Sequence, residues 1–341
     1  MFSLNKDSLI YVVCPYFYKT GGTELTHQLV YTINHLGGNS KIAYFWDGKS
    51  KKEIHPEFYK YVNTFVDFSQ INDDRNNVVV LPEICPTLAN HLKKIQKCVW
   101  WMSVDNFLVN DSILYSIKFR GFLRTVKHLI FGLVRVKKYN FDDNVINLYQ
   151  SEYAHDFLLS HKVKHCYRLS DYLNSIYLSS SREFLSNKRK DIVLYNPSKG
   201  YKFTKLIIQS SPDIHWVAIK NLKTNEVYEL LNVSKIYIDF GNHPGKDRFP
   251  REAAMCGCCV ITGKRGSAKY YEDVSIPNKY KFEDKKENIH DIVNLIRSCL
   301  MDYDVHIQDF SEYRRIILGE KELFCNDVKQ IFVNSSTDIE Q

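Results

Sequence analysis

Two hydrophobic rhythms alternate along the chain. Residues Leu9 to Val13 form a continuous β-branched and aromatic run, which reads as a buried strand. Leu25, Leu29, Val30, Ile33 and Leu36 then fall on one face of a helix that Gly37 and Gly38 stop. The same patterns predict strands at 41–46, 78–81, 98–102 and 144–148, with helices at 87–96 and 152–160. Short apolar runs separated by helix-period segments indicate a parallel sheet covered on both faces. The polar stretch 171–190, rich in Ser, Asn and charge, reads as a linker. The alternation then restarts, with strands at 191–195, 214–219, 235–240 and 258–262 and helices at 201–210, 225–231 and 250–256. A helical tail follows at 286–301, 310–318 and 320–333. The expected organisation is two consecutive open α/β domains, 1–170 and 191–318, and a C-terminal helix within 319–341 that could cross back to the first. Ligands of such sheets sit outside the carboxyl ends of the strands.

Composition supports two cores: 44% of the 341 residues are hydrophobic and 14% aromatic, which excludes a disordered chain. Charge changes the picture more. The chain has 46 Lys+Arg against 39 Asp+Glu. The surplus of seven lies wholly between Ser112 and Asn140, which contain no acidic residue. The remainder is formally neutral, so a general nucleic-acid binder is excluded and one local anionic partner is indicated. Within that segment Phe119, Phe122, Leu123, Val126, Ile130, Leu133 and Val134 recur at helical spacing. Arg120, Arg124, Lys127, Arg135 and Lys138 fall between them. A basic amphipathic helix at about 112–140 reads as interfacial on anionic lipid. It reads equally as a core-packed helix with a charged outer face. Nine scattered cysteines behind no secretory signal point to a reducing, cytoplasmic location. Cys256 and Cys259 form a CxxC without a second pair at zinc spacing, so no metal is expected. No apolar run is long enough to span a bilayer.

Four segments carry candidate chemistry. Gly21, Gly22, Thr23 and Glu24 follow the first strand and open a helix. They suit an anionic or polar ligand, or an ordinary turn with Thr23 as N-cap. Lys199, after the strand at 191–195, could reach a phosphate from the sheet's mouth, or be a solvated turn lysine. The stretch from Phe240 to Ala268 concentrates His243, Lys246, Asp247, Arg248 and Glu252 around one helix, and Gly266, Ser267 and Ala268 in a loop whose N–H groups are expected to be free. Cations and amides there would balance a diphosphate, and a carboxylate would accept ribose hydroxyls, so a sugar nucleotide fits. Asp105 could take an acceptor's proton or cap a helix.

This arrangement resembles the GT-B glycosyltransferases, especially family-4-like bacterial enzymes of surface polysaccharide (O-antigen or capsule) assembly. Gly21 to Glu24 resemble the family's Gly-Gly-x-Glu turn, Ser151-Glu152-Tyr153 the end of its first sheet, and Asn196 to Gly200 the loop whose lysine contacts the donor diphosphate. Glu252 to Thr262 resemble the Glu-Ala block whose glutamate holds the ribose, and Gly266 to Ala268 the following Gly-Gly loop. The resemblance implies two Rossmann-like domains with parallel sheets facing across a cleft. It also implies sugar transfer from a nucleotide-sugar donor to a glycan or lipid-linked glycan, at the inner face of the cell membrane and without a metal. The pattern departs where a second glutamate is usual: Pro244 stands there, with His243 and Asp247 nearby as catalytic candidates beside Asp105. His243-Pro244 also resembles the His-Pro motif of sialyl- and Kdo-type transferases, which leaves a CMP-sugar donor open. A nucleotide-sugar epimerase or binding protein on the same scaffold is the remaining alternative.

Overall fold

The computed structural model describes residues 1–46, 48, 50–130, 139–179 and 189–333. Its chain divides into two units, Met1–Asp171 with Glu322–Gln341, and Tyr172–Lys321.

The first unit holds β1 (Ile10–Pro15), β2 (Ser40–Phe45), β3 (Phe65–Asp67), β4 (Val78–Pro82), β5 (Gln96–Trp101), β6 (Val145–Tyr149) and β7 (Cys166–Arg168). They form one sheet in the order β3-β2-β1-β4-β5-β6-β7 with every pairing parallel. Val12 sits opposite both Ile42 and Val80, and all three are buried. A parallel sheet covered on both faces needs such unbroken apolar strands. Helices α1 (Gly21–His35), α2 (Val104–Asp111), α3 (Ile113–Arg120), α4 (Phe122–Ile130) and α5 (Glu152–Ser160) complete this unit before its C-terminal segment.

The second unit begins with α6 (Ser175–Ser179) and continues through β8 (Lys190–Tyr195), α7 (Tyr201–Gln209), β9 (His215–Ala218), α8 (Thr224–Val233), β10 (Ser234–Asp239), α9 (Arg248–Met255), β11 (Cys259–Gly263) and β12 (Lys281–Phe282). Its helical end comprises α10 (Ile289–Met301), α11 (Tyr303–His306) and α12 (Ser311–Val328). The sheet order is β12-β11-β10-β8-β9, again all parallel.

Both orders contain a switch point. In the first unit the chain leaves β1 toward β2 and β3, then returns to β4 on β1's other side. In the second it leaves β8 toward β9 and returns to β10. Loops diverging from such neighbours open a crevice at the strands' carboxyl ends.

Several expectations change. The helix predicted at 87–96 is only a 3-10 segment, Pro86–His91. The expected linker is partly core: Leu173 and Tyr177 pack with Leu194 and Leu231 in the second unit, and Asp171 is fully buried. Polar composition misled because Tyr172, Leu173 and Tyr177, few as they are, are buried. The break expected at residue 319 is absent, since Gly319 lies inside α12. Beyond it, Phe324 stacks on Trp100, and Asp327 accepts hydrogen bonds from Ser170 N at 3.0 Å and Arg168 at 3.1 Å. The end of α12 thereby belongs to the first unit's core.

The single basic helix is also broken. Gly121, at φ +82°, ends α3, and α4 starts afresh. A left-handed residue cannot continue a right-handed helix, and glycine accepts it without strain. Arg135 and Lys138 lie outside the described residues. Arg120 turns inward, its guanidinium donating to Asn110 Oδ1 at 2.9 Å. Arg124 and Lys127 are exposed, but so is the apolar face: Phe122 is 65% exposed, Leu123 82% and Ile130 76%. The face of α4 turned inward is polar, with Thr125 Oγ1 donating to Ser116 Oγ on α3 at 3.1 Å. Among the described residues, α4 is therefore not a helix packed by its apolar stripe.

Candidate functional site

In the second unit three loops meet at the carboxyl ends of β8, β10 and β11. Gly200 has φ +61°, and a Cβ there would stand 2.1 Å from Phe240 O. Gly266 has φ +54°, and a Cβ there would stand 2.0 Å from His243 O. Only glycine permits both the left-handed backbone and the close approach. The loop after β8 is thus pressed onto the loop after β10, and the loop after β11 onto the same segment. Ser267 N donates to His243 O at 2.9 Å and Ser267 Oγ to Gly245 O at 2.6 Å.

These contacts correct one expectation. The N–H of Ser267 goes to His243 O and that of Ala268 to Arg265 O, so the 266–268 loop offers neither to a ligand. It is a wall of the site. The amides that lack a side-chain cap belong to the helices instead. Gly200 brings no side chain to the start of α7, and Asp247 makes no side-chain cap bond to α9. Both helix ends carry the positive pole of their dipoles to the switch point between β8 and β10.

The charged residues sort into two groups. Lys199, His243 and Asp247 converge with Asp239, which the sequence reading overlooked. Lys199 Nζ lies 2.8 Å from Asp247 Oδ2, and His243 Nδ1 approaches the same oxygen obliquely at 3.1 Å. His243 Nε2 faces Asp239 Oδ1 at 3.8 Å. Asp239 is itself fixed by Tyr237 Oη and Gly241 N, each donating at 2.9 Å. Burial alone would push the His243 imidazole down, but Asp239 and Asp247 more than offset it and raise it above its ordinary range. Burial likewise opposes ionisation of Asp247, yet His243 and Lys199 hold its carboxyl below the usual range. His243 is fully buried between its two carboxylates, so the expected catalytic contact with substrate is not what its position provides. The oxygens of Asp239 and Asp247 and the His243 ring nitrogens are close enough to suggest a cation site. In this arrangement the two carboxylates face opposite nitrogens of the His243 ring, Asp239 at 3.8 Å and Asp247 at 3.1 Å.

Lys246 and Arg251 form the second group. Lys246 Nζ lies 2.7 Å from Glu320 Oε1, and Arg251 Nη1 donates to Glu320 Oε2 at 2.7 Å. Arg251 and Glu320 are buried, and Arg251 also donates to Lys246 O at 3.0 Å. Lys246, expected on the donor, is instead tied to α12. Arg248 and Glu252 are half-buried in the first turns of α9. Asp284 follows β12 and stands 2.8 Å from Arg265 Nη2, with burial pushing its carboxyl up to about 6.

In the first unit the Gly21–Gly22 turn begins α1, but Thr20, not Thr23, is its N-cap. Thr20 Oγ1 accepts from Thr23 N at 3.2 Å, and Thr23 Oγ1 accepts from Thr20 N at 2.9 Å. This capping box takes up the amide of Thr23, and Glu24 N donates to Thr20 O at 3.1 Å. Glu24 accepts from Tyr61 Oη at 2.9 Å. Asp105 is not the cap of α2 either, since Ser103 Oγ accepts from Asn106 N at 3.3 Å. Instead Asp105 Oδ1 accepts from Tyr115 Oη at 3.0 Å and Tyr153 Oη at 2.9 Å, tying α2 to α3 and α5. The carboxyl at the crevice between β1 and β4 is Glu83, absent from the sequence reading. Glu83 Oε2 accepts from Met102 N at 3.2 Å, and a Cβ at Gly22 would lie 3.8 Å from the Met102 side chain. Burial pushes Glu83 up to about 8. Its only sequence signal was position, as the first polar residue after an unbroken apolar strand.

Of the nine cysteines, Cys256, Cys258 and Cys259 are buried in the second core. Burial pushes the Cys258 thiol up to about 12, and a hydrogen bond with Cys299 together with burial raises Cys259.

No protein-family model and no curated protein matches the sequence. Solved structures do. WaaG, a glycosyltransferase involved in lipopolysaccharide biosynthesis, matches at a TM-score of 0.56 and 12% identity, over 94% of this chain and 99% of its own. Anabaena HepE in complex with UDP-glucose matches at 0.56 and 10% identity, over 94% and 98%. TarM of S. aureus, in complex with UDP, fondaparinux and α-GlcNAc-glycerol, matches at 0.51 and 14% identity; 76% of this chain covers only 56% of TarM. The fold is the GT-B fold of these glycosyltransferases.

Proposed function

We propose that the chain is a glycosyltransferase that moves a sugar from a nucleotide-sugar donor to a glycan or lipid-linked glycan. The observation that carries this reading is the second unit's switch point. There Gly200 locks the loops after β8 and β10 together, and Lys199 stands with the starts of α7 and α9. A lysine and two helix N-termini match the charge of a diphosphate. Glu252, in the first turns of α9, is the carboxylate for the ribose hydroxyls. That HepE binds UDP-glucose on the same fold supports the donor class.

Departure of the sugar leaves negative charge on the nucleotide diphosphate. Lys199 and the helix-end amides stabilise it in place, so the step is read as metal-independent. The acceptor is assigned to the first unit's crevice beside Gly22, Met102 and Glu83. Surface polysaccharide assembly fits the involvement of WaaG in lipopolysaccharide biosynthesis. Exposed Leu114, Phe122, Leu123 and Ile130, with Lys118, Arg124 and Lys127 exposed among them, suit an anionic membrane face.

The test incubates the protein with UDP-, dTDP-, GDP- and CMP-sugars, with and without a lipid-linked acceptor and with and without a chelator. Acceptor-dependent nucleotide release that survives chelation, and is lost in folded Lys199→Ala, is expected. Interconversion of donors without acceptor would identify an epimerase instead.

A further inference from the structure

The lysine best placed for a diphosphate already holds a carboxylate. Lys199 Nζ and His243 Nδ1 both engage Oδ2 of Asp247, at 2.8 Å and 3.1 Å. We propose that Asp247 takes the place of the donor's diphosphate in the free site and is a positioning residue, releasing Lys199 to the donor while His243 retains the carboxylate. This deepens the donor assignment above and rests on it.

Three observations carry it. First, Asp247 occupies the N-cap position of α9, where a carboxylate ordinarily accepts from the first helical amides, yet it makes no such bond. Its carboxylate points to the two cations instead. Second, the cations differ in freedom. The Lys199 side chain is 34% exposed and that of His243 is 0% exposed. A lysine on a flexible four-carbon stem can swing to an incoming ligand, and a buried ring cannot. Third, His243 is held charged from its far side by Asp239, itself anchored by Tyr237 and Gly241. When Lys199 leaves, Asp247 keeps one cation. The exchange therefore breaks a partly exposed ion pair rather than stranding a buried charge, and only the second is strongly unfavourable. A diphosphate carries more charge and more acceptor oxygens than a carboxylate, so the lysine favours it. The exchange is non-covalent and leaves every proton where it was.

Asp247 is then a competitor for Lys199, and removing its charge should strengthen anion binding through Lys199. Calorimetric titration with UDP and with inorganic pyrophosphate measures this in wild type, Asp247→Asn, Lys199→Ala and the double variant. Asp247→Asn should bind both probes about fivefold more tightly, the worth of the partly exposed Lys199–Asp247 ion pair that the ligand no longer has to break. In the Lys199→Ala background the same substitution should gain less than twofold. An equal gain in both backgrounds would mean simple repulsion and would overturn the handover. Unchanged or weaker binding by a folded Asp247→Asn protein would overturn it too. Asp247→Ser serves as a second neutral residue should the asparagine variant fail to fold. A wild type that binds neither probe, nor ADP, GDP, CDP or dTDP, would instead remove the donor assignment, and the handover with it.

Discussion

Replacing Glu83 by glutamine should change how the first unit's stability depends on pH. Glu83 is 2% exposed, and burial pushes its carboxyl from 4.5 up to about 8, against the bonds it accepts from its own amide and Met102 N. A folded-state value above the unfolded one means stability that is fully present below the unfolded value and lost as pH rises through the folded one. Between about pH 5 and 8 the unfolded chain has released this proton and the native protein has kept it, so the group lowers stability by about 1.4 kcal/mol per pH unit. Over that window the loss reaches about 4 kcal/mol, a large share of a typical domain's stability. Glutamine has nearly the same shape, keeps an oxygen for Met102 N, and does not titrate. The wild-type-minus-variant difference should therefore move by about 4 kcal/mol from pH 5 to pH 8, with glutamine relatively more stable at the alkaline end. Urea unfolding followed by tryptophan fluorescence reads mainly this unit, since Trp46, Trp100 and Trp101 lie in it and only Trp216 in the other. The difference cancels every other titrating group. Curves that stay parallel within about 1 kcal/mol would refute the reasoning and place a charged Glu83 in the native state.

Other outcomes follow from particular contacts. Glu320→Ala should destabilise the second unit by about 3–5 kcal/mol, because it leaves Arg251 buried without its carboxylate and Lys246 nearly so; circular dichroism during denaturation measures it. Gly200→Ala should cost well over about 1 kcal/mol, since it adds a Cβ 2.1 Å from Phe240 O to an unfavourable backbone; a thermal midpoint close to wild type would contradict the loop contact. His243 is raised, so its contribution is present below the ordinary histidine range and fades as pH climbs past its folded value; a folded His243→Gln protein should lack that alkaline loss in a pH series of unfolding curves. Leu123→Glu with Lys127→Glu should abolish sedimentation with phosphatidylserine vesicles and leave unfolding unchanged, since both residues are exposed; retained sedimentation would free α4 of the membrane role.

The sequence by itself determined the two α/β units, because buried parallel strands must be continuously apolar and the helices between them must be amphipathic. Strands such as β1, β4, β8 and β10 and the helix 152–160 were legible for that reason. Weakly patterned pieces were not: β3, β7 and β12 are three residues or fewer, too short to show a period. The position of the loop residues proposed for the donor, Lys199, Asp247, Arg248 and Glu252, after strand ends was also legible, since polar side chains and glycines stood where strands ended.

Their roles were decided by tertiary structure. Lys246 and Glu320 lie far apart in sequence, so nothing local marks the lysine as a buried partner of α12. Free amides at Ser267 and Ala268, an N-cap at Thr23 and a base at Asp105 each looked open locally. Each residue proved to be engaged once a distant loop or helix, or a neighbouring turn, packed against it. Glu83 and Asp239 show the converse. Each is one acidic residue at the end of an apolar run; the order of parallel strands puts Glu83 at a switch point, and the turn after β10 folds His243 back against Asp239. Periodicity records which side of an element is buried. Which polar groups meet depends on chain reversals that no local pattern encodes.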